Sequence, residues 1–161
     1  MAIEKVREYF KQFGMEKRIL EFPVSSATVD LAAEALNTEG CRIAKSLSFD
    51  VSGRTILIVT AGDMKIDNHK YKDLFHKKAE MLSYDFVAAR IGHAVGGVCP
   101  FGIPSDVEVY LDISLRRFTT VFPACGSSNS AIELTIPELE KYSNSRKWID
   151  VCKSREVNSD K

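Results

Sequence analysis

Six consecutive residues, Thr55-Ile56-Leu57-Ile58-Val59-Thr60, do most to limit the folds open to this chain. A strand with one wet face alternates apolar and polar residues, and this run does not. It is far short of the ~20 apolar residues that span a bilayer. It is rich in β-branched types and ends at Ala61-Gly62-Asp63, so it predicts a strand covered on both faces. Such a strand needs packed layers on each side of its sheet. A chain of 161 residues has the material for that in one domain. Its 45% apolar and 27% charged residues exclude a disordered, fibrous or coiled-coil protein.

Around this strand the patterns are mixed. Ile3, Val6, Phe10 and Phe13 share a face at helical spacing, predicting a helix over 2–13 that stops at Gly14. Residues 21–24 read as extended ahead of Pro23. Ser25 and Ser26 are expected to cap a helix over 28–36, closed by Asn37 and Gly40. Residues 41–49 alternate as a strand, 50–53 form a turn, and the apolar run follows. Asp67 and Ser83 are expected to cap helices over 68–78 and 84–91. Strands are expected at 107–111, 118–122, 131–134 and 148–151. Thr135 and Glu138 have capping-box spacing for a short helix over 137–142. The order is α+β, not a regular βαβ winding. The reading is one domain over 1–152 and a polar, frayed tail over 153–161.

Lys plus Arg and Asp plus Glu both number 22, so a protein of this charge meets nucleic acid, if at all, through a local patch and a shaped pocket. The densest basic region is Lys65, Lys70, Lys72, Lys77 and Lys78, ordinarily a solvated face and otherwise a phosphate contact. His69 and His76 lack a third metal ligand. Cys41, Cys99, Cys125 and Cys152 lie far apart without a CxxC pair, which reads as reduced core thiols and no metal. The charged start, without a signal-peptide core, predicts a cytoplasmic protein with no membrane association.

Three segments carry candidate chemistry. In Arg42-Ile43-Ala44-Lys45-Ser46-Leu47, Lys45 interrupts an apolar strand. It either enters a wet or anion-bearing pocket or snorkels to water from an edge strand. The run Gly92-His93-Ala94-Val95-Gly96-Gly97-Val98-Cys99-Pro100-Phe101-Gly102 has four glycines and a proline among small apolar residues. Its glycines allow close main-chain approach, and successive N–H groups can form an anion or carbonyl site. It is neither a P-loop nor a dinucleotide fingerprint. The third, Pro123-Ala124-Cys125-Gly126-Ser127-Ser128-Asn129-Ser130, can line a polar pocket or serve as an ordinary turn.

Together these segments, with Ala131-Ile132-Glu133-Leu134 after the third, resemble the YbaK-like aminoacyl-tRNA deacylases, the bacterial prolyl-tRNA editing family. Cys125 stands where the family has a small residue before the glycine. The resemblance runs from about residue 28 to 148. It implies an α+β fold with a curved, barrel-like mixed sheet and surrounding helices. It implies a pocket for the aminoacylated 3′ end of tRNA and hydrolysis of the ester to a wrong amino acid. The substrate so implied is tRNA for proline carrying Cys, Ala or a similar small residue. A freestanding protein without cofactor, acting beside a prolyl-tRNA synthetase, is expected.

By position, Lys45 matches the family's functional lysine. It would bind an anionic group or steady charge near the ester, and its ammonium should stay charged. Gly96 and Pro100 match the Gly-x-x-x-Pro loop, where amides at Gly96 and Gly97 would hold the carbonyl oxygen as it gains charge. Val98, Cys99, Phe101 and Gly102 would complete that wall, with Gly126 and Ser127 opposite. His93 would position the substrate. Ser46 sits beside Lys45, although alternation sends it to the other face. No Ser-His-Asp triad is present, so the nucleophile would be water or a substrate group such as the ribose hydroxyl. Two other readings stand beside this one: a non-catalytic RNA- or nucleotide-binding module, and a thiol hydrolase built on Cys99 and His93.

Overall fold

The structure, a computed structural model, describes residues 2–155. Its centre is a curled, half-barrel mixed sheet of six strands. In spatial order these are β8 (Leu134–Thr135), β6 (Thr120–Pro123), β2 (Ile43–Val51), β3 (Arg54–Ala61), β5 (Glu108–Asp112) and β9 (Lys147–Ile149). The apolar run is β3. Its period of two sends Leu57 and Val59 into one core and Ile56 and Ile58 into another, and residues 56–61 are all buried. Burial on both faces follows because strands flank it and the two cores cover the sheet above and below. The curved mixed sheet with helices around it is the architecture expected from the resemblance.

β2 and β3 pair antiparallel from Ala44↔Ala61 to Val51↔Arg54. Ser52 and Gly53 both have positive φ, 51° and 88°, which makes a two-residue turn that matches the twist of the strands. The turn is thus tighter than the 50–53 expected, and Asp50 and Val51 stay in the ladder. β5 and β9 run parallel to β3 and to each other, so the chain must cross over between them. The first crossover carries α3 (Asn68–Phe75), α4 (Tyr84–Ile91) and the glycine-dense loop. The other helices are α1 (Ala2–Lys11), α2 (Val29–Leu36) and α5 (Ile136–Tyr142). No helix among the described residues is long and apolar enough to cross a membrane.

Several local expectations change. α2 is capped by Thr28, whose hydroxyl accepts from the Leu31 N–H, and not by Ser25 or Ser26. Those two serines turn to the Ser128 carbonyl, the Ser26 N–H at 2.6 Å. α3 ends at His76 in a left-handed conformation, short of Lys78. β1 (Ile19–Glu21) pairs with β7 (Ser130–Ile132), and β4 (Met64–Ile66) with β10 (Cys152–Ser154). Lys153 and Ser154, expected in the frayed tail, therefore belong to a strand. Arg155 follows, its N–H donating to the Asp63 carbonyl at 2.9 Å, and 156–161 lie outside the described residues. Three-residue strands carry too little period to be seen in sequence; their partners create them.

The capping box on α5 is complete: Thr135 accepts from the Glu138 N–H and Glu138 accepts from the Thr135 N–H. The Arg18 guanidinium, then the Thr135 N–H, draw the Glu138 carboxyl down to about 2 against some desolvation. A depressed carboxyl stabilises the fold above its unfolded value and loses that contribution as pH falls. The window here runs from about 4.5 down to about 2. Glu138→Gln should flatten the stability profile across that window in urea unfolding. Thr135→Ala should cost about 1 kcal/mol at neutral pH.

Candidate functional site

The site begins with an interruption in the sheet. β6 runs beside β2 only at Ile43↔Phe122 and Ala44↔Pro123. Further along, residues 80–82 take over that edge: the Leu82 N–H donates to the Ser48 carbonyl at 3.1 Å, and the Asp50 N–H to the Glu80 carbonyl at 2.9 Å. Between these two partners the edge of β2 is uncovered, and a half-open cavity of about 390 Å³ lies along it. All six residues from Ile43 to Ser48 border it. Consecutive residues of a strand can share one hollow only along an edge, because on a face every second side chain would point away. The remaining walls come from the segment leading into α2, from Tyr84 and Val87 of α4, from the glycine-dense loop, and from the end of β6.

Lys45 is half-buried, and its Nζ donates to the Met64 carbonyl on β4. Burial lowers its pKa from the ordinary lysine value, the Arg155 charge adds to this, and Asp63 opposes it. Asp63 is itself held by two hydrogen bonds from Arg117, at 3.0 and 2.6 Å. Among the described residues no carboxylate forms an ion pair with the Lys45 ammonium. Lys45 therefore borders the cavity from the open edge of β2, with its ammonium on the Met64 carbonyl.

The glycine-dense loop is a packed structure. Gly96, at φ 97°, borders the cavity, and a Cβ there would lie 3.2 Å from the Ala27 methyl. Gly97 lies behind it against bare main chain. A Cβ on Gly97 would sit 2.6 Å from the Ser127 nitrogen and 2.7 Å from the Gly126 carbon. The Gly97 N–H is engaged by the Ala94 carbonyl at 3.0 Å. The 125–130 segment in turn holds the chain ahead of α2: Phe22 N–H donates to the Asn129 carbonyl and Asn129 Nδ2 to the Phe22 carbonyl. Three stretches of main chain thus stack in layers beside the cavity.

Of the residues singled out in the sequence, Lys45, Ser46, Gly96 and Val98 meet at this cavity. Gly97, Gly126 and Ser127 form the packed layer behind its wall. His93, Cys99 and Phe101 are wholly buried in the core. His93 Nε2 lies 2.8 Å from the Phe101 carbonyl, so it donates there and fastens the loop; burial lowers its pKa and keeps the ring neutral. Pro100 and Gly102 open on a second hollow of about 360 Å³, beside Tyr9 and Arg146. Ser130, at the end of the third candidate segment, also borders the cavity, and so do Ser26, Thr28, Ser48 and Tyr84, which sequence reasoning did not single out as site residues. The hydroxyl-rich approach to α2 was the available signal, and it reads equally well as a helix cap.

A thiol hydrolase on Cys99 and His93 does not fit this arrangement. Cys99 Sγ is 3.4 Å from His93 Nε2, but it is fully buried and desolvation pushes the thiol up to about 12. It stays protonated and out of reach of substrate. Cys99→Ala should cost about 1 kcal/mol of stability through lost packing. Any hydrolysis the protein performs should continue in that variant, and loss of activity in a folded Cys99→Ala protein would restore the thiol reading.

Comparison with known proteins agrees with this geometry. A family model described as the aminoacyl-tRNA editing domain matches residues 24–142. The uncharacterized protein YwhH of Bacillus subtilis (strain 168) is 57% identical over 157 residues, covering 97% of this chain and 100% of that protein. Proline–tRNA ligase of the same organism is 33% identical over 82 residues, which are 50% of this chain and 14% of the ligase. A crystal structure of a candidate trans-editing enzyme for prolyl tRNA synthetase superposes with a TM-score of 0.85 at 25% identity, over 95% of this chain and 98% of that one. The matched span includes the interrupted strand edge, the glycine-dense loop and the segment packed beneath it, and the chain belongs to the aminoacyl-tRNA editing domain family.

Proposed function

We propose that this protein hydrolyses the ester joining a small, wrong amino acid to the 3′ end of a tRNA. The substrate of choice in this reading is tRNA for proline bearing Cys, Ala or a residue of similar size. Residues 1–152 act as one editing domain, with the tRNA acceptor end and a prolyl-tRNA synthetase as partners. The observation that carries the reading is the meeting of Lys45 and Gly96 at one cavity of about 390 Å³. That volume is near the lower end for ligand sites and suits a small side chain with part of a ribose. Size selection matters because one methylene changes binding by only about 1–3 kcal/mol, so a synthetase pocket alone discriminates poorly.

In this mechanism the Lys45 ammonium stabilises negative charge developing on the ester oxygens. Main-chain groups of the walls orient the acyl group, and a water, which the neighbouring ribose hydroxyl can position, attacks its carbonyl carbon. The attacking oxygen forms the new acyl bond, the ester C–O bond breaks, and the leaving ribose oxygen receives the proton. Much of the acceleration then comes from placing the nucleophile and shielding charge.

The test is direct. Purified protein is incubated with Ala-, Cys- and Ser-tRNA bearing the proline anticodon, and ester loss is followed. At least one should be deacylated well above buffer. No loss with any of the three overturns the reading, and tight binding of uncharged acceptor ends without turnover would establish a non-catalytic module instead.

A further inference from the structure

Ser46 borders the same cavity on the uncovered stretch of the β2 edge. Its Oγ is buried and makes no hydrogen bond. Its main-chain groups follow from the ladder. Within β2, Ser48 C=O and Asp50 N–H both point away from β3, toward residues 80–82. The N–H and C=O of one residue in an antiparallel strand point to the same side, and the side alternates along the chain. Ser46 has the parity of Ser48 and Asp50, so its N–H and C=O also point away from β3. There they meet neither β6, whose pairing ends at Ala44↔Pro123, nor the 80–82 segment, whose bonding begins at Ser48. An unpaired main-chain donor and acceptor on the wall of a half-open cavity are placed to exchange water for a ligand that offers the complementary pair.

We propose that Ser46 binds the aminoacyl group as a one-residue antiparallel strand partner. This rests on the deacylase reading and assigns what the cavity recognises. A hydrogen-bonded pair in an antiparallel ladder exchanges two N–H···O bonds across two Cα atoms. An aminoacyl ester offers the same pattern on either side of its own Cα: an ammonium that donates and an acyl carbonyl that accepts. The Ser46 carbonyl receives the α-ammonium and the Ser46 N–H donates to the acyl oxygen. The Lys45 ammonium is held on the Met64 carbonyl, and Lys45 pairs across from Thr60 whereas Ser46 pairs across from Val59. The side chains of the two residues therefore leave the sheet on opposite faces, while the α-ammonium lies at the sheet edge in its plane. The chemical consequence is a requirement for a free α-amine. An N-acylated ester, such as a peptidyl end, lacks the charge and places a bulky group against the strand edge, so it is spared.

The experiment uses 3′-alanylamido-3′-deoxyadenosine, in which an amide replaces the scissile ester, and its N-acetyl derivative. Each is titrated into ¹⁵N-labelled full-length protein. With the free amine, the Ser46 amide resonance should move downfield among the largest shifts, and its hydrogen exchange should slow. The N-acetyl derivative should bind about tenfold more weakly or worse, the loss of one charge-assisted hydrogen bond. Binding that shifts the Gly96 and Val98 amides but leaves Ser46 still, or equal binding of both compounds, overturns the Ser46 assignment and leaves the deacylase reading standing. No binding of either compound, together with no deacylation of charged tRNA, overturns both.

Discussion

Lys45→Ala should lower kcat/KM for deacylation of mischarged tRNA by about a hundredfold or more, the scale on which a single charge-stabilising donor acts. The same variant should fold. Lys45 is half-buried at an open cavity, and its one hydrogen bond is to the Met64 carbonyl. The sign of its pKa shift supports this separation of stability from activity. Burial, then Arg155, lowers the value, so the folded protein disfavours the ammonium relative to the unfolded chain. A charged Lys45 therefore subtracts from stability at neutral pH, and the penalty fades as pH rises through its folded pKa toward the ordinary lysine value. Lys45→Met, which keeps the stem without the charge, should consequently unfold no earlier than the parent on heating while remaining inactive. Deacylation that depends on the ammonium should decline with rising pH sooner than an unperturbed lysine would dictate. Full activity in a folded Lys45→Ala protein would remove Lys45 from the mechanism.

Gly97→Ala should be the most damaging small substitution in the glycine-dense loop. The three atoms nearest the added methyl, at 2.6, 2.7 and 2.8 Å, are all main chain of Gly126 and Ser127. A flexible side chain could turn aside, whereas main chain can yield only if the layers separate. Overpacking of this kind costs about 1–3 kcal/mol, and rigid neighbours put this site at the upper end. The urea midpoint should fall accordingly. Deacylation should fall with it, because Gly96 is carried on the same turn and would leave the cavity wall. Gly53→Asn is the control: Gly53 sits at positive φ, 88°, but nothing lies within 4 Å of the new Cβ, and asparagine tolerates that conformation. It should leave both measurements close to the parent. Equal effects at Gly53 and Gly97 would mean that the close main-chain approach is not what makes Gly97 sensitive.

Much of this molecule is legible in its own residues where the physics is local. An unbroken apolar run told of a doubly covered strand, because water on either face would have required polar residues there. Thr135 and Glu138 announced their helix start because a capping box needs only four residues. Ser52 and Gly53 announced a reversal because few residue types accept two successive positive φ angles. The glycine-dense loop and the lysine of β2 stood out as departures from the patterns around them.

Tertiary structure decided the rest. Whether the edge of β2 is covered depends on where β6 ends and where residues 80–82 begin, and neither is written in β2 itself. That gap is what lets Ser46, which alternation alone sends to the face opposite Lys45, border the same cavity. His93 and Cys99 have the residue types of a reactive pair, yet burial leaves one neutral and the other protonated. Lys153 reads as solvent-exposed tail until β4 gives it a strand to join. In each case the residue's own chemistry was visible from the start. For the edge of β2 and for Lys153 the partner lay tens of residues away, and packing at that distance determines hydrogen bonding, burial and charge.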